Sequence, residues 1–183
     1  MLMKVFPHGT GEGDKPSRYL VRPDYPGRDT APPQILRGDL AMTRALIDSI
    51  ERRWKFTSGA LSWHPNDKVS EEQEEEVMDA FERVAFAGLE ADQRNILWVR
   101  HTHAGHHELH FLIPRLELSS GKDFNACPPG WQKDFDVFRD LFNWREGWAR
   151  PDDPARARDE LPKKADLFKA RMAKWGKEIR ESD

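Results

Sequence analysis

Two apolar, β-rich runs, Asn95–Val99 and Glu108–Leu118, flank the segment His101-Thr-His-Ala-Gly-His-His, and this pattern closes as a hairpin. With Ala104 and Gly105 as the two turn residues, His103 faces His106, Thr102 faces His107, His101 faces Glu108 and Val99 faces His110. Opposed residues share one face of a sheet, and so do residues two apart. His101, Glu108 and His110 therefore converge on one face, with His103 and His106 on the same side nearer the turn. Trp98, Leu109, Phe111 and Ile113 take the other face, which must be core. That pattern demands a sheet whose two faces differ in chemistry.

Two imidazoles and a carboxylate about 5–6 Å apart across a hairpin suit a divalent cation. The nitrogen and oxygen donors accept manganese, magnesium, nickel or zinc. Open coordination positions on such a cation take phosphate oxygens and polarise them. Two plainer readings stand beside this one. The hairpin tip, above all His103, His106 and His107, is a set of exposed polar residues, or the histidines hold a phosphate with no metal.

The rest of the chain supplies a setting for that hairpin. Residues 1–6 read as a strand, and the glycine-rich stretch 7–18 as a loop, with Tyr19-Leu20-Val21 opening a short helix. Residues 23–34, with Pro23, Pro26, Pro32 and Pro33, are loop again, and Ile35–Arg37 is an edge strand. A helix over 40–54 is capped by Asp39. Residues 56–63 suit a strand. Ser70 and Gln73 form a capping box for a helix running to Phe86, with Val77, Phe81 and Val84 as its inner stripe. Residues 121–130 are loop, and Trp131–Trp148 is a further helix. The fold class is α+β: a central antiparallel sheet flanked by helices. Residues 1–150 form the main domain, and residues 151–183 a charged helical extension or linker.

Charge needs a map rather than a sum. A net charge of −3 argues mildly against nucleic-acid binding. Acid is concentrated in Glu71–Glu76, read as a solvated helix face, and in the tail, whereas Arg18, Arg22, Arg28 and Arg37 cluster near the N-terminus. A local basic patch still holds phosphates. The single cysteine, Cys127, excludes an intrachain disulfide and a cysteine metal site, and fits a reducing compartment. No apolar run reaches the roughly eighteen residues of a membrane span, and MLMKVFPHG lacks the apolar core of a signal peptide.

Several stretches carry a resemblance: Lys4-Val-Phe-Pro-His-Gly-Thr-Gly, Tyr19-Leu, Leu36-Arg-Gly-Asp and Phe56-Thr-Ser-Gly-Ala-Leu-Ser-Trp. It continues in Phe86-Ala-Gly-Leu, Trp98-Val-Arg-His, Glu108-Leu-His-Phe-Leu-Ile-Pro-Arg and Ser120-Gly-Lys. In this order the chain resembles the relaxases of small mobilisable, colicin-type plasmids, within the relaxase and mobilisation nuclease group. Such proteins are similar to the two-histidine endonucleases, with a metal site on one face of an antiparallel sheet. Their signature in this branch is often His, Glu and Asn; here His101 and Glu108 match, and His110 stands where Asn is often found.

The resemblance implies a DNA-nicking enzyme that starts conjugative mobilisation at a plasmid origin of transfer. Tyr19, after the glycine-rich loop and before Leu20, matches the nucleophile that joins the 5′-phosphate; Tyr25 is read as an exposed loop residue. His101, Glu108 and His110 would hold the divalent ion, with Mn2+ or Mg2+ foremost and Ni2+ or Zn2+ as further fits. The general base is left open between His103, Asp14 and water. Single-stranded origin DNA is the expected partner, contacted by Arg18, Arg22, Arg37, Arg100 and Arg115, with accessory mobilisation proteins and a coupling protein around a cytoplasmic, bacterial monomer. Gly11-Glu-Gly13 is a flexible loop that can let Tyr19 reach the site. Trp63, Trp131 and Trp148 are expected in the core rather than stacked on bases. Three alternatives remain: a rolling-circle replication initiator using the same reaction, a non-catalytic DNA-binding module, and a metal-dependent hydrolase whose cleavage survives Tyr19→Phe.

Overall fold

The structure, a computed structural model, describes residues 1–7 and 9–150; the expected charged extension over 151–183 lies outside them. Five strands form one antiparallel sheet: β1 (Leu2–Val5), β2 (Gln34–Arg37), β3 (Phe56–Ser62), β4 (Leu97–His101) and β5 (Glu108–Pro114). Their order across the sheet is β1-β3-β5-β4-β2, so β2 is an edge strand as expected. Four helices cover it: α1 (Asp14–Val21), α2 (Leu40–Asp48), α3 (Glu71–Ala85) and α4 (Gln132–Glu146). This is the expected α+β class. No helix among the described residues is long and apolar enough to cross a membrane.

The β4–β5 register is the one the sequence spacing sets, with Val99 opposite His110 and His101 opposite Glu108. The connection differs. Pairing stops at His101 and Glu108, and residues 102–107 form a longer turn closed by Gly105 N–H donating to the Thr102 carbonyl at 3.1 Å. Gly105 takes φ of 76°, a left-handed conformation that glycine adopts without steric cost.

Trp98, Leu109, Phe111 and Ile113 do face the main core, with Leu61, Val77, Met78 and Phe81, beneath α3 and α4. The face carrying the histidines is covered as well. Leu20 of α1 and Ile47 of α2 pack on Phe56, Leu97, Val99 and Leu112 in a second, smaller core. The β strands therefore read as near-continuous apolar runs because both faces are buried, and His101 and His110 are 1% and 5% exposed instead of solvent-facing.

Helix boundaries correct the sequence reading at two places. α1 begins at Asp14, inside the expected loop 7–18. Pro16 is its third residue, where an N–H would have no intrahelical acceptor, so proline costs nothing there. Gly13 N–H donates to Asp48 Oδ1 at 2.7 Å and docks the start of α1 on the end of α2. Tyr19 therefore lies in the last turns of α1, and Pro23 forbids helical continuation from Arg22. α2 ends at Asp48 and not near Trp54. Ser49 Oγ donates to the Leu46 carbonyl at 2.7 Å, a local bond that competes with helix propagation. The Asp39 cap and the Ser70–Gln73 box are both present.

Glu74 corrects the reading of Glu71–Glu76 as solvated. It is 3% exposed, 2.8 Å from Arg100 Nη1, with its other oxygen 2.5 Å from His107 Nε2. Trp63 and Trp148 are core, ring to ring at 5.5 Å, and Trp131 is partly buried against the same core.

Gly59 lies at the centre of β3, where an added Cβ would sit 2.3 Å from Phe111 Cζ and 2.4 Å from the Lys4 carbonyl oxygen. The Phe111 ring occupies the space a side chain would need. Gly59→Ala is expected to destabilise the domain by about 2–3 kcal/mol, as overpacking of a tight core does. A urea midpoint unchanged from the parent chain would contradict this packing.

Cys127 is buried, and burial pushes its thiol up to about 12. The native chain should resist iodoacetamide at pH 8 and react on unfolding, because the thiolate is the nucleophile. Rapid native alkylation would place Cys127 nearer solvent than it is here.

Candidate active site

The site forms where β4 ends and β5 begins, with α1 packed against them. Strand alternation brings His101, Glu108 and His110 to one face, and their ligand atoms all lie within 4.8 Å of one another. The His101 and His110 rings are 4.3 Å apart between centroids. Glu108 Oε2 is 3.2 Å from His110 Nε2, and its Oε1 is 3.1 Å from His106 Nε2. On the neighbouring strand, small residues stand opposite the ligands, Ala60 against His110 and Ser62 against Glu108.

The electrostatics prepare the cluster for a cation. The side-chain bond to His110 leads in holding Glu108 low, at about 2, so it is ionised at neutral pH. Burial, and then the charge of His110, brings His101 down to about 4, so its ring is neutral. Ionised carboxylate and neutral imidazole are the protonation states a metal needs. His101 Nε2 lies 2.8 Å from the Leu20 carbonyl; a carbonyl only accepts, so Nε2 carries the proton and Nδ1 keeps the lone pair. A ligating histidine usually donates its other N–H to such a group.

Buried polar atoms without a hydrogen-bond partner are rare, yet three of those among the described residues fall here: His110 Nδ1, His103 Nδ1 and Arg28 Nε. The donor set and these orphaned atoms fit a divalent cation and an anionic ligand.

Tyr19 lies against this cluster. Its ring is 6.5 Å from His101 and 6.4 Å from His110, edge-on to both, and the residue is 40% exposed. Burial of the phenol, then Tyr25, raises its pKa above the ordinary value. The phenol is therefore protonated at neutral pH and needs a proton acceptor to act.

Tyr25 is not the exposed loop residue expected. It is half-buried, with its ring 5.9 Å from Tyr19 and 5.3 Å from His103. His103, His106 and His107 are likewise half-buried, held by Tyr25, Glu108 and Glu74 in turn.

The five arginines expected at DNA are not brought together. Arg18 is highly exposed and pairs with Asp14 at 3.0 Å; Arg22 ends α1 near Tyr25. Arg37 and Arg100 lie on the opposite face of the sheet, tied to α3. Arg37 contacts Glu75, Asp79 and Glu82 within 2.9 Å, and Arg100 contacts Glu74. Arg115 lies past the far end of β5, 3.1 Å from Asp123. Asp14 is engaged by Arg18 and Arg44, at 3.0 and 2.9 Å.

One residue of the site is not identified by sequence reasoning. In the sequence Arg28 is one member of a basic cluster, but its side chain reaches both Tyr19 and His101. It sits in a proline-rich loop with no periodicity to give it a direction, so no local signal distinguishes it.

A family model described as the nuclease domain of MobA/VirD2-like relaxases matches residues 33–143. The chain is 39% identical over 170 residues to cryptic plasmid protein C of Neisseria gonorrhoeae, covering 91% of this chain and 80% of that protein. It is 34% identical over 168 residues to the DNA relaxase MbeA of Escherichia coli, covering 88% of this chain and 32% of that longer protein. No solved structure matches the chain. Family model and relatives together place it: the chain belongs to the MobA/VirD2-like relaxases and contains their nuclease domain.

Proposed function

We propose that this chain nicks one DNA strand at a plasmid origin of transfer, with Tyr19 as nucleophile beside a divalent cation held by His101, Glu108 and His110. The observation that carries this reading is a part-exposed tyrosine ring set edge-on to two histidines of a three-ligand cluster. A bound Mn2+ or Mg2+, with Ni2+ or Zn2+ as further fits to these donors, supplies charge neutralisation at the scissile phosphate.

Tyr19 Oη gives up its proton, bonds to phosphorus in line, and the bond from phosphorus to the 3′-oxygen breaks. The 3′-oxygen takes up a proton from water and leaves as a hydroxyl; the 5′-phosphate remains on Tyr19. The tyrosine proton goes to water or to His103, whose pKa is lowered chiefly by burial and which is therefore neutral at pH 7. A phenol ionises near pH 10, so phenoxide leaves more readily than an alkoxide and the linkage is reversible by the 3′-hydroxyl.

The partner is single-stranded origin DNA. Arg18 and Arg22, on and after α1, are placed for phosphate contacts near Tyr19. Arg37, Arg100 and Arg115 reach DNA only along the other surfaces they occupy. A groove of about 620 Å³ lined by Phe6, Lys15, Pro16, Tyr19 and Phe56 opens beside the nucleophile, and its aromatic walls suit a stacked base. Accessory mobilisation proteins and a coupling protein, in the bacterial cytoplasm, complete the setting for a monomeric enzyme.

The test is a labelled single-stranded oligonucleotide spanning the origin, incubated with the chain and Mn2+ and run on a denaturing gel. A protein-linked band that EDTA prevents supports the reading. Cleavage without a linked band makes the chain a hydrolase, and no cleavage across origin sequences and metals leaves a DNA-binding module.

A further inference from the structure

We propose that the DNA strand is held along a track that runs from Lys4 and Lys15, beside the site, to a base-stacking platform at Trp54. The proposal rests on the DNA-nicking reading made above and gives its single-stranded substrate a path along β3.

Lys4 is placed by strand register. It stands opposite Ala60, which stands opposite His110, so the three share the histidine face. Only the Ala60 methyl lies between Lys4 and His110 in that row, across two strand spacings, or about 10 Å. Phe6, two residues on, keeps to the same face, with its ring 6.3 Å from that of His110. Lys15 lines the groove one helical turn before Tyr19. Both lysines are exposed, and among the described residues neither forms an ion pair. Arg18, Arg37, Arg44 and Arg100 are all held by carboxylates. Cations without a protein counter-charge, on the face of the nucleophile, complement a chain of phosphates.

Trp54 marks the other end. It belongs to neither core and is 44% exposed, whereas Trp63, Trp98 and Trp148 are buried. Gly9 lies against it: a Cβ there would sit 3.2 Å from Trp54 Cε3 and 2.4 Å from the Phe56 carbonyl oxygen. The Gly9 carbonyl accepts from the Lys55 and Phe56 N–H groups, at 2.6 and 3.2 Å. The turn that carries Trp54 is thereby tied to the loop of Thr10, Gly11 and Glu12 that lines the groove. Arg53 also lacks an ion pair among the described residues, and its guanidinium lies 5.8 Å from the indole centre. An exposed aromatic face beside an unpaired cation suits an unpaired base and its phosphate. A duplex hides its base faces, so the occupant is a single strand. Glu12 is the one carboxylate in the groove lining, and its charge opposes the phosphates.

The test measures anisotropy of a labelled single-stranded origin oligonucleotide in EDTA, so that binding is read without cleavage, at several salt concentrations. For single strands the slope of log affinity against log salt is about 0.7 per phosphate neutralised, so Lys4→Ala and Lys15→Ala should each flatten it by about 0.7. Trp54→Ala should weaken binding about 5- to 150-fold, the worth of one stacked base, and leave the slope unchanged. Trp54→Phe should recover most of that loss. Glu12→Gln should tighten binding, because it removes a like charge. Trp144 is 80% exposed on α4, which covers the opposite face, and Trp144→Ala should leave affinity unchanged. The same sequence as a duplex should bind more weakly and be indifferent to Trp54→Ala.

Unchanged affinity in Trp54→Ala, or an unchanged slope in both lysine variants, would overturn the proposal. A loss in Trp144→Ala as large as in Trp54→Ala would overturn it too, by moving the strand to the other face. So would a parent chain that binds no single strand. The nuclease reading fails separately: a chain that binds through these residues but forms no linked band with Mn2+ keeps the track and loses the nicking reaction.

Discussion

Tyr19→Phe should abolish the protein-linked DNA band and lower strand cleavage by at least about 10⁴-fold, as removal of a nucleophile does. The substitution is a minimal change, because phenylalanine keeps the ring that packs edge-on against His101, His110 and Tyr25. The Tyr19 hydroxyl makes no hydrogen bond among the described residues, so its loss should move stability by less than about 0.5 kcal/mol. Mn2+ and oligonucleotide binding should persist. The variant thus separates the chemical step from folding and binding, read by the linked band, calorimetric titration and the thermal midpoint. Linked product from Tyr19→Phe would transfer the nucleophile's role elsewhere, with Tyr25 the first residue to examine. Free cleavage without linkage would favour attack by water.

Glu108→Gln is expected to have the second-largest effect. Glutamine preserves size and one of the two oxygen acceptors that face His106 and His110 while removing the only negative charge of the three-ligand cluster. Alteration of outer-shell groups alone costs about 10–100-fold in metal affinity, so loss of a charged ligand should cost at least about 100-fold in Mn2+ affinity. Linked product should fall correspondingly and recover in part at high Mn2+. Recovery is the informative readout, since a misfolded site would not respond to added ion. Unaltered Mn2+ affinity in Glu108→Gln would remove this cluster as the metal site and leave histidines that clamp phosphate unaided.

The hairpin is legible in the sequence because its signal is local. A period of two, with apolar residues at Trp98, Leu109, Phe111 and Ile113, fixes which side chains share a face. The same rule brings His101, Glu108 and His110 together on the other one. The turn is less legible, since pairing stops at His101 and Glu108 and nothing in the six residues between them sets that limit. The near-continuous apolar runs of β4 and β5 are the mark of strands buried on both faces, but the covering of the histidine face by Leu20 and Ile47 is a contact between distant parts of the chain, so the strands do not show what covers it.

Charge is the least legible feature. Arg37 and Arg100 suit DNA contacts as sequence, but α3 places Glu74, Glu75, Asp79 and Glu82 beside them. Whether an arginine meets a carboxylate or a phosphate depends on which helix lies over it. Tyr25 and Arg28 show the converse: a proline-rich loop with no periodicity folds back into the site, and both become neighbours of Tyr19.

Above all, Tyr19 is expected to become covalently joined to DNA. The direct measurement is tandem mass spectrometry of a protease digest of the linked product, after nuclease trimming of the DNA. The nucleotide remnant should be carried by Tyr19, with Tyr25 unmodified in the same digest. A remnant on Tyr25, or on any other residue, would contradict the account.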